Sequence, residues 1–282
     1  MPSITRFLLR PSSLPSLVAI AFLPLPALAA DALQDDAAAS KPRTFDQSRF
    51  GGVTQTLADW NVIIGAGAML APKFEGSDEM EISPVPVITA KIGDRVSIDP
   101  GGVSVDIYSA DNFKFGLRGG YDLGRAEDDS DHLRGLGDID AGGVVGASFA
   151  YEAGPVELFA RIDKTIGGSD GLTGKVGASV SHQVDRFIFS AEASATWADD
   201  NHMESYFGVT KAQSARSGLA EYEAGAGFKR VDLEASVTYM VTQNWLVRGQ
   251  AGVGLLTGDA ADSPIVQDEV QPSAMLMLGY KF

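Results

Sequence analysis

From residue 59 onward, apolar side chains recur at every second position, the period of a strand with one apolar face. Trp60, Val62, Ile64, Ala66, Ala68 and Leu70 share one face of the first such segment. Phe113, Phe115, Leu117, Gly119, Tyr121 and Leu123 share another, against Lys114, Arg118 and Asp122. Segment 139–151 carries Ile139, Val145, Phe149 and Tyr151 on one side. After a turn at Glu152–Pro155, Val156, Leu158, Ala160 and Ile162 oppose Glu157, Arg161 and Asp163. Segments 172–184, 187–197, 231–241 and 245–255 repeat the scheme and add Lys175, Glu192, Glu234 and Arg248 to the polar face. In 272–282, Ala274, Leu276, Leu278, Tyr280 and Phe282 fall together. A strand of about 9–11 residues with one apolar face is what crosses a bilayer in a β-barrel.

The connections alternate in length. Turns at Glu152–Pro155, Val184–Arg186 and Thr242–Asn244 are short, whereas 71–81, 125–137, 198–218 and 258–271 are long and polar. Outer-membrane barrels have short periplasmic turns and longer outer loops, which orients every strand. On that orientation Trp60, Tyr151, Phe187, Trp245, Tyr280 and Phe282 lie near the inner ends, and Tyr121 and Trp197 near the outer ends. Two aromatic girdles are expected where rings settle at the two interfaces. The prediction is therefore an all-β fold, a transmembrane antiparallel up-and-down β-barrel of about ten strands. Between 82 and 108 lie three β-like pieces, two of them too short to span. Read as one long kinked strand with an irregularity at Pro100-Gly-Gly102 they give ten, and split fully they give twelve; ten is the expectation.

Residues 1–29 read as an export signal. Arg6 and Arg10 precede an apolar stretch from Leu14 to Leu28, and Ala27-Leu-Ala29 fits the cleavage rule. Residues 30–58 read as a flexible periplasmic leader, and 59–282 as the barrel. Removing the signal leaves 20 Lys+Arg (22 − 2) against 37 Asp+Glu, a net charge of −17 instead of −15. So acidic a chain is a poor partner for nucleic acid. There is no cysteine, so neither a lipoprotein anchor nor disulfides are expected.

Candidate chemistry is sparse, and neither a cofactor nor a metal is expected. His132 and His202 fall in outer loops and His182 near an inner strand end, which separates them from any shared triad. Glu127-Asp-Asp-Ser-Asp131 with Asp138 and Asp140 lacks the spacing of an EF-hand and reads as a solvated loop. Gly135-Leu-Gly137 with Gly142-Gly143 lacks the strand-to-helix context of a phosphate loop and reads as glycine in a curved strand. Arg118, Glu157, Arg161, Asp163, Lys175, Glu192, Glu234 and Arg248 share the lumen side, either selecting solutes in a pore or packing a narrow barrel as ion pairs; packing is the expectation. Lys164, Lys211 and Arg216 near the rim suit lipopolysaccharide phosphates or plain solvation.

Several stretches together resemble the MipA/OmpV family of outer-membrane proteins. They are Pro72-Lys-Phe-Glu-Gly-Ser77, Pro84-Val-Pro86, Gly124-Arg125 with Leu136-Gly-Asp-Ile139, Tyr206-Phe-Gly-Val209, Ser217-Gly-Leu219 with Tyr222, Trp245, and Leu256-Thr-Gly-Asp-Ala260 with Asp262-Ser-Pro264. Phe74 stands where the family pattern has Tyr. The resemblance spans about residues 58–282. It implies a non-enzymatic barrel in the bacterial outer membrane, surrounded by lipid and lipopolysaccharide. It also implies a scaffold joining a lytic murein transglycosylase to a bifunctional penicillin-binding protein. A small-solute or antibiotic-permeable channel is the alternative, and a lipid-modifying barrel enzyme a remote one. Phe282 has the character of the terminal aromatic that barrel-insertion machinery reads in outer-membrane proteins.

Overall fold

The computed structural model describes residues 60–282 apart from Asp94 and Asp111, with backbone alone at Trp60 and Asn61. The expected signal (1–29) and leader (30–58) lie outside the described residues. Twelve antiparallel strands close into one barrel in which each strand pairs with its neighbours in sequence and the last returns to the first. They are β1 (Trp60–Pro72), β2 (Met80–Ile92), β3 (Val96–Asp99), β4 (Gly102–Ala110), β5 (Phe113–Asp122) and β6 (Gly142–Ala153). They continue as β7 (Val156–Ile166), β8 (Leu172–Val184), β9 (Phe187–Ala198), β10 (Gly227–Met240), β11 (Trp245–Leu256) and β12 (Val270–Lys281). Closure comes from the register Ile63↔Lys281 to Leu70↔Ala274, extended by the Phe282 N–H donating to the Val62 carbonyl at 3.0 Å. Closure pairs the strand edges that would otherwise face lipid, with one stretch of β2 as the exception among the described residues.

The expectation of ten strands is corrected to twelve, the larger of the two counts. The 82–108 stretch reverses twice. Gly93 turns β2 into β3 at φ +57°, and Gly102 leaves the next turn at φ +135°. A Cβ at Gly102 would collide with the Gly119 carbonyl, so this second reversal needs glycine. Four residues cannot cross a bilayer alone, and β3 pairs only with Ala90, Lys91 and Ile92 of β2. The remainder of β2 keeps an unbroken ladder to β1 from Trp60↔Ile92 to Pro72↔Met80. Its other edge has no strand partner among the described residues, and that is where Pro84 and Pro86, which have no N–H to offer, are tolerated.

The wall has its apolar side outward. Ile64, Leu117, Leu233 and Leu276 are 47%, 51%, 57% and 63% exposed, as lipid-facing side chains must be in the isolated chain. Inward positions are small or polar, including Ser194, Ser236 and Thr238. One apolar patch faces inward as well, where Val87, Leu246 and Met277 pack with Ile63, Val85, Met240 and Met275.

The outer loops contain two short helices that strand periodicity did not anticipate, α1 (Asp200–Phe207) and α2 (Lys211–Ser217). Asp199 caps the first through the His202 N–H. Thr210 and Gln213 cap the second reciprocally, and Gly218 ends it in the left-handed region at φ 81°.

Candidate functional site

Five outer connections, 73–79, 123–141, 167–171, 199–226 and 257–269, gather into one cap. Two cores of soluble-protein character hold it together. In the first, Ala198, Met203, Phe207, Ala224, Leu256 and Ala260 are all 1% exposed or less. In the second, Phe74, Leu133, Leu136, Val209 and Ile265 come from four different connections, and Tyr222 packs against both cores. Fully burying one such side chain contributes about 1.5–3 kcal/mol. Polar bonds cross the same seams. The Gly76 N–H donates to Gln271 Oε1 (3.0 Å), Ser263 Oγ to the Phe207 carbonyl (2.6 Å), and Gln213 Nε2 to the Leu136 carbonyl (2.6 Å).

The 73–79 connection carries a carboxylate to the lumen side. Glu75 accepts from Lys229 Nζ at 2.7 Å and lies 3.7 Å from Arg230 Nη1. In a regular strand adjacent residues point to opposite faces. The β9–β10 register shifts between Phe228 and Arg230, and this bulge lets two consecutive cations reach one glutamate. Burial alone would raise the Glu75 carboxyl. Lys229, by charge and hydrogen bond, and then Arg230 outweigh it and hold Glu75 below the ordinary carboxylate range.

Beside this pair lies a chamber of ≈350 Å3 formed by 73–75, Asp122, Gly124, Arg125, Asp129, His202, Tyr206 and Lys229. Gly124 makes the bend that brings Asp122 and Arg125 to it. Its φ is +72°, and a Cβ there would collide with the Ile139 carbonyl. Tyr206 is the hub. Its hydroxyl donates to both Asp122 oxygens (3.0 and 3.1 Å), its carbonyl accepts from Arg125 Nη1 (2.7 Å), and its ring stacks on His202 with centroids 4.6 Å apart. Burial, then the Asp122 charge, raises the Tyr206 hydroxyl and keeps it a donor.

His202 is 7% exposed. Burial, reinforced by Lys229, lowers its pKa to about 4, so the ring is neutral near pH 7. Lys229 Nζ sits 3.0 Å from Nε2. A lysine ammonium can only donate, so Nε2 is the acceptor and the ring proton is on Nδ1. That N–H has no partner among the described residues, and neither does Arg125 Nε–H.

The lumen residues expected from sequence separate into small groups. Arg118 pairs with Asp163 at 2.8 Å, Arg161 Nε lies 3.6 Å from the same carboxylate, and Lys175 pairs with Glu192 at 2.9 Å. Arg248 donates to Gln250 at 3.2 Å. Glu157 and Glu234 form no ion pair among the described residues, and Glu234 stands opposite Glu192 in the β9–β10 register. Of the aromatics, the Phe187 ring lies 4.8 Å from Tyr239, Trp245 5.1 Å from Tyr280, and Tyr280 4.9 Å from Phe282. Tyr151 sits 4.7 Å from Phe113. Tyr121 donates to the Pro100 carbonyl at 2.9 Å, and Trp197 is half-buried opposite Phe228. The backbone of Trp60 pairs with Ile92.

Two loop readings are corrected or refined. Gly135 and Gly137 are not strand glycines; their N–H groups both donate to Glu127 Oε2, at 2.9 and 3.0 Å. The neighbouring acids cap backbone as well, Asp138 accepting from Glu127 N–H and Asp129 from Ala126 N–H. Strand pattern alone missed Glu75, Arg125, Tyr206, Lys229 and the role of His202. The signals present were the Lys229-Arg230 doublet at the head of a strand and the family-like stretches that contain Glu75, Arg125 and Tyr206.

A family model described as MltA-interacting protein MipA matches residues 64–282, a stretch that takes in both wall and cap. The chain belongs to the MipA family. Over 247 residues it is 26% identical to the MltA-interacting proteins of Escherichia coli K12 and of Shigella flexneri, covering 80% of this chain and 92% of each relative. The translocator domain of the autotransporter NalP from Neisseria meningitidis is similar at a TM-score of 0.41 and 13% identity, covering 83% of this chain and 94% of that one. That likeness is too slight to carry an argument. This MipA-family member is an outer-membrane β-barrel, and its apolar outer surface is the part that faces lipid.

Proposed function

We propose that this chain is a closed, non-enzymatic barrel that serves as a scaffold in the outer membrane and presents its periplasmic side to murein enzymes. The observation that carries closure is the cap: four of the five outer connections share two buried cores, and Glu75 bonds β10 beneath them. Arg118, Asp163, Lys175 and Glu192 then act as internal ion pairs that fill the lumen, and Phe187, Trp245, Tyr280 and Phe282 as the periplasmic girdle. Phe282 would also be the aromatic read by barrel-insertion machinery.

The partner class comes from the relatives, whose name is MltA-interacting protein, and from the family resemblance to a link between a murein transglycosylase and a penicillin-binding protein. Among the described residues the inner turns are the surface offered to such partners, and the leader expected at 30–58 would be a second. Affinity capture from solubilised envelopes, with the whole chain and with a variant lacking residues 31–57, tests the role. Co-purification of a lytic transglycosylase with the whole chain is the expected result. Recovery of no murein enzyme by either would overturn the scaffold reading. A solute channel is the second reading, favoured by cavities of ≈310 and ≈630 Å3 on the lumen side of the wall.

A further inference from the structure

We propose that the chamber around Tyr206 binds a small zwitterion, with its carboxylate on Arg125 and its ammonium on Asp122. Arg125 is 8% exposed, and no carboxylate lies within salt-bridge distance of it among the described residues. Among the described residues its side chain hydrogen-bonds only to the Tyr206 carbonyl, its Nε–H is unpartnered, and its guanidinium lies 5.9 Å from the Tyr206 ring centroid. A buried charge without a counter-charge is expensive. The site therefore lacks an anion at that point. His202 is another lining residue, and its buried Nδ1–H likewise has no partner among the described residues.

Charge balance selects the ligand class. Lys229 is matched by Glu75, Lys73 by Glu79 at 2.6 Å, and Arg230 by Asp232 at 2.6 Å. Asp129 is exposed and caps backbone. Of the groups that are not exposed, two are left over, one of each sign. Asp122 is half-buried and accepts only from the Tyr206 hydroxyl and the Gly124 N–H, with no cation within salt-bridge distance among the described residues. A bare anion would neutralise Arg125 and leave Asp122 uncompensated beside it, and a bare amine would do the reverse. A molecule carrying both charges satisfies both. Tyr206 bonds both groups, Arg125 through its carbonyl and Asp122 through its hydroxyl. A chamber of ≈350 Å3 is at the small end of the range for ligand sites, which suits an amino acid or a compact amino-carboxylate. Exposed Lys73 and Asp129 line it too, so it reaches the outer surface.

The test is calorimetric titration of the whole protein in detergent with L-alanine, glycine, sodium acetate, inorganic phosphate and methylammonium chloride. The expected result is one alanine or glycine per barrel, with acetate, phosphate and methylammonium each about tenfold or more weaker. Arg125→Gln and Asp122→Asn should each weaken alanine binding by about tenfold or more, since each removes a charged hydrogen-bond partner. Heat-modifiable gel migration shows whether the variants have folded. The ligand panel on the unaltered protein decides the matter without them. Acetate or phosphate binding as tightly as alanine would overturn the zwitterion assignment, and no binding by any probe would mean that the chamber holds water alone.

Discussion

Wall and cap obey opposite rules within one chain. In the wall, Leu233 is 57% exposed while Ser236 and Thr238, on the inner face of the same strand, are 6% and 8% exposed. In the cap, Phe207, Leu133 and Ile265 are fully buried. The wall is stabilised by closure of its hydrogen-bond ladder in a medium without water, where apolar outward residues gain nothing from each other. The cap sits in water and is held by hydrophobic burial. Each region should therefore fail for its own reason and leave the other standing.

The largest expected effect is on the cap. Phe207→Ala should cost about 3–5 kcal/mol of local stability. Hydrogen exchange should show lost protection through 199–226 and 257–269 with the strand amides unchanged. Uniform loss across wall and cap would mean that the two form one cooperative unit. On the wall, Leu233→Arg places a cation near the middle of β10 on the lipid side and should cost about 2–4 kcal/mol, read from urea unfolding in lipid vesicles. It should leave the cap's fold intact in the folded fraction. An Arg costing nothing there would contradict the assignment of that face to lipid.

Acid should act on the cap. The pKa of His202 falls from 6.5 to about 4 on folding, so between those values the unfolded chain holds more protons. Stability is full above about pH 6.5 and falls as pH drops towards 4, by a few kcal/mol at most. Glu75 adds to the same slope at lower pH, because its depressed carboxyl contributes stability that is lost as pH falls through its folded value. Limited proteolysis of the outer loops from pH 7 to 4 should show the change, and His202→Gln should remove its upper part. A flat profile in the unaltered protein would contradict the buried neutral imidazole. The smallest effect is expected from Thr210→Ala, about 1 kcal/mol from a lost helix cap and confined to 210–218 by exchange.

The same division explains what could be read in the sequence. A wall strand repeats its environment every second residue, so its pattern is local, and Leu172–Val184 and Phe187–Ala198 are legible almost to their ends. The failure at 82–108 came from treating length as the test of a strand. β3 survives at four residues because Gly93 and Gly102 supply the two reversals. In the cap, the second helix announces itself in Thr210-Lys-Ala-Gln213 followed by Gly218, a capping signature that a search for period two passes over. The chamber's residues stood in family-like stretches, but nothing local showed that they meet. Arg125 meets the carbonyl of Tyr206, 81 positions away, and Glu75 meets Lys229, 154 away, through a bulge no alternation reveals.

Closure of the lumen by the cap is the central claim, and single-channel recording in planar bilayers addresses it most directly. The intact protein is expected to give no stable open level, whereas Phe207→Ala gives intermittent conductance as the cap opens. A steady, large conductance from the intact protein would show an open pore and contradict the account.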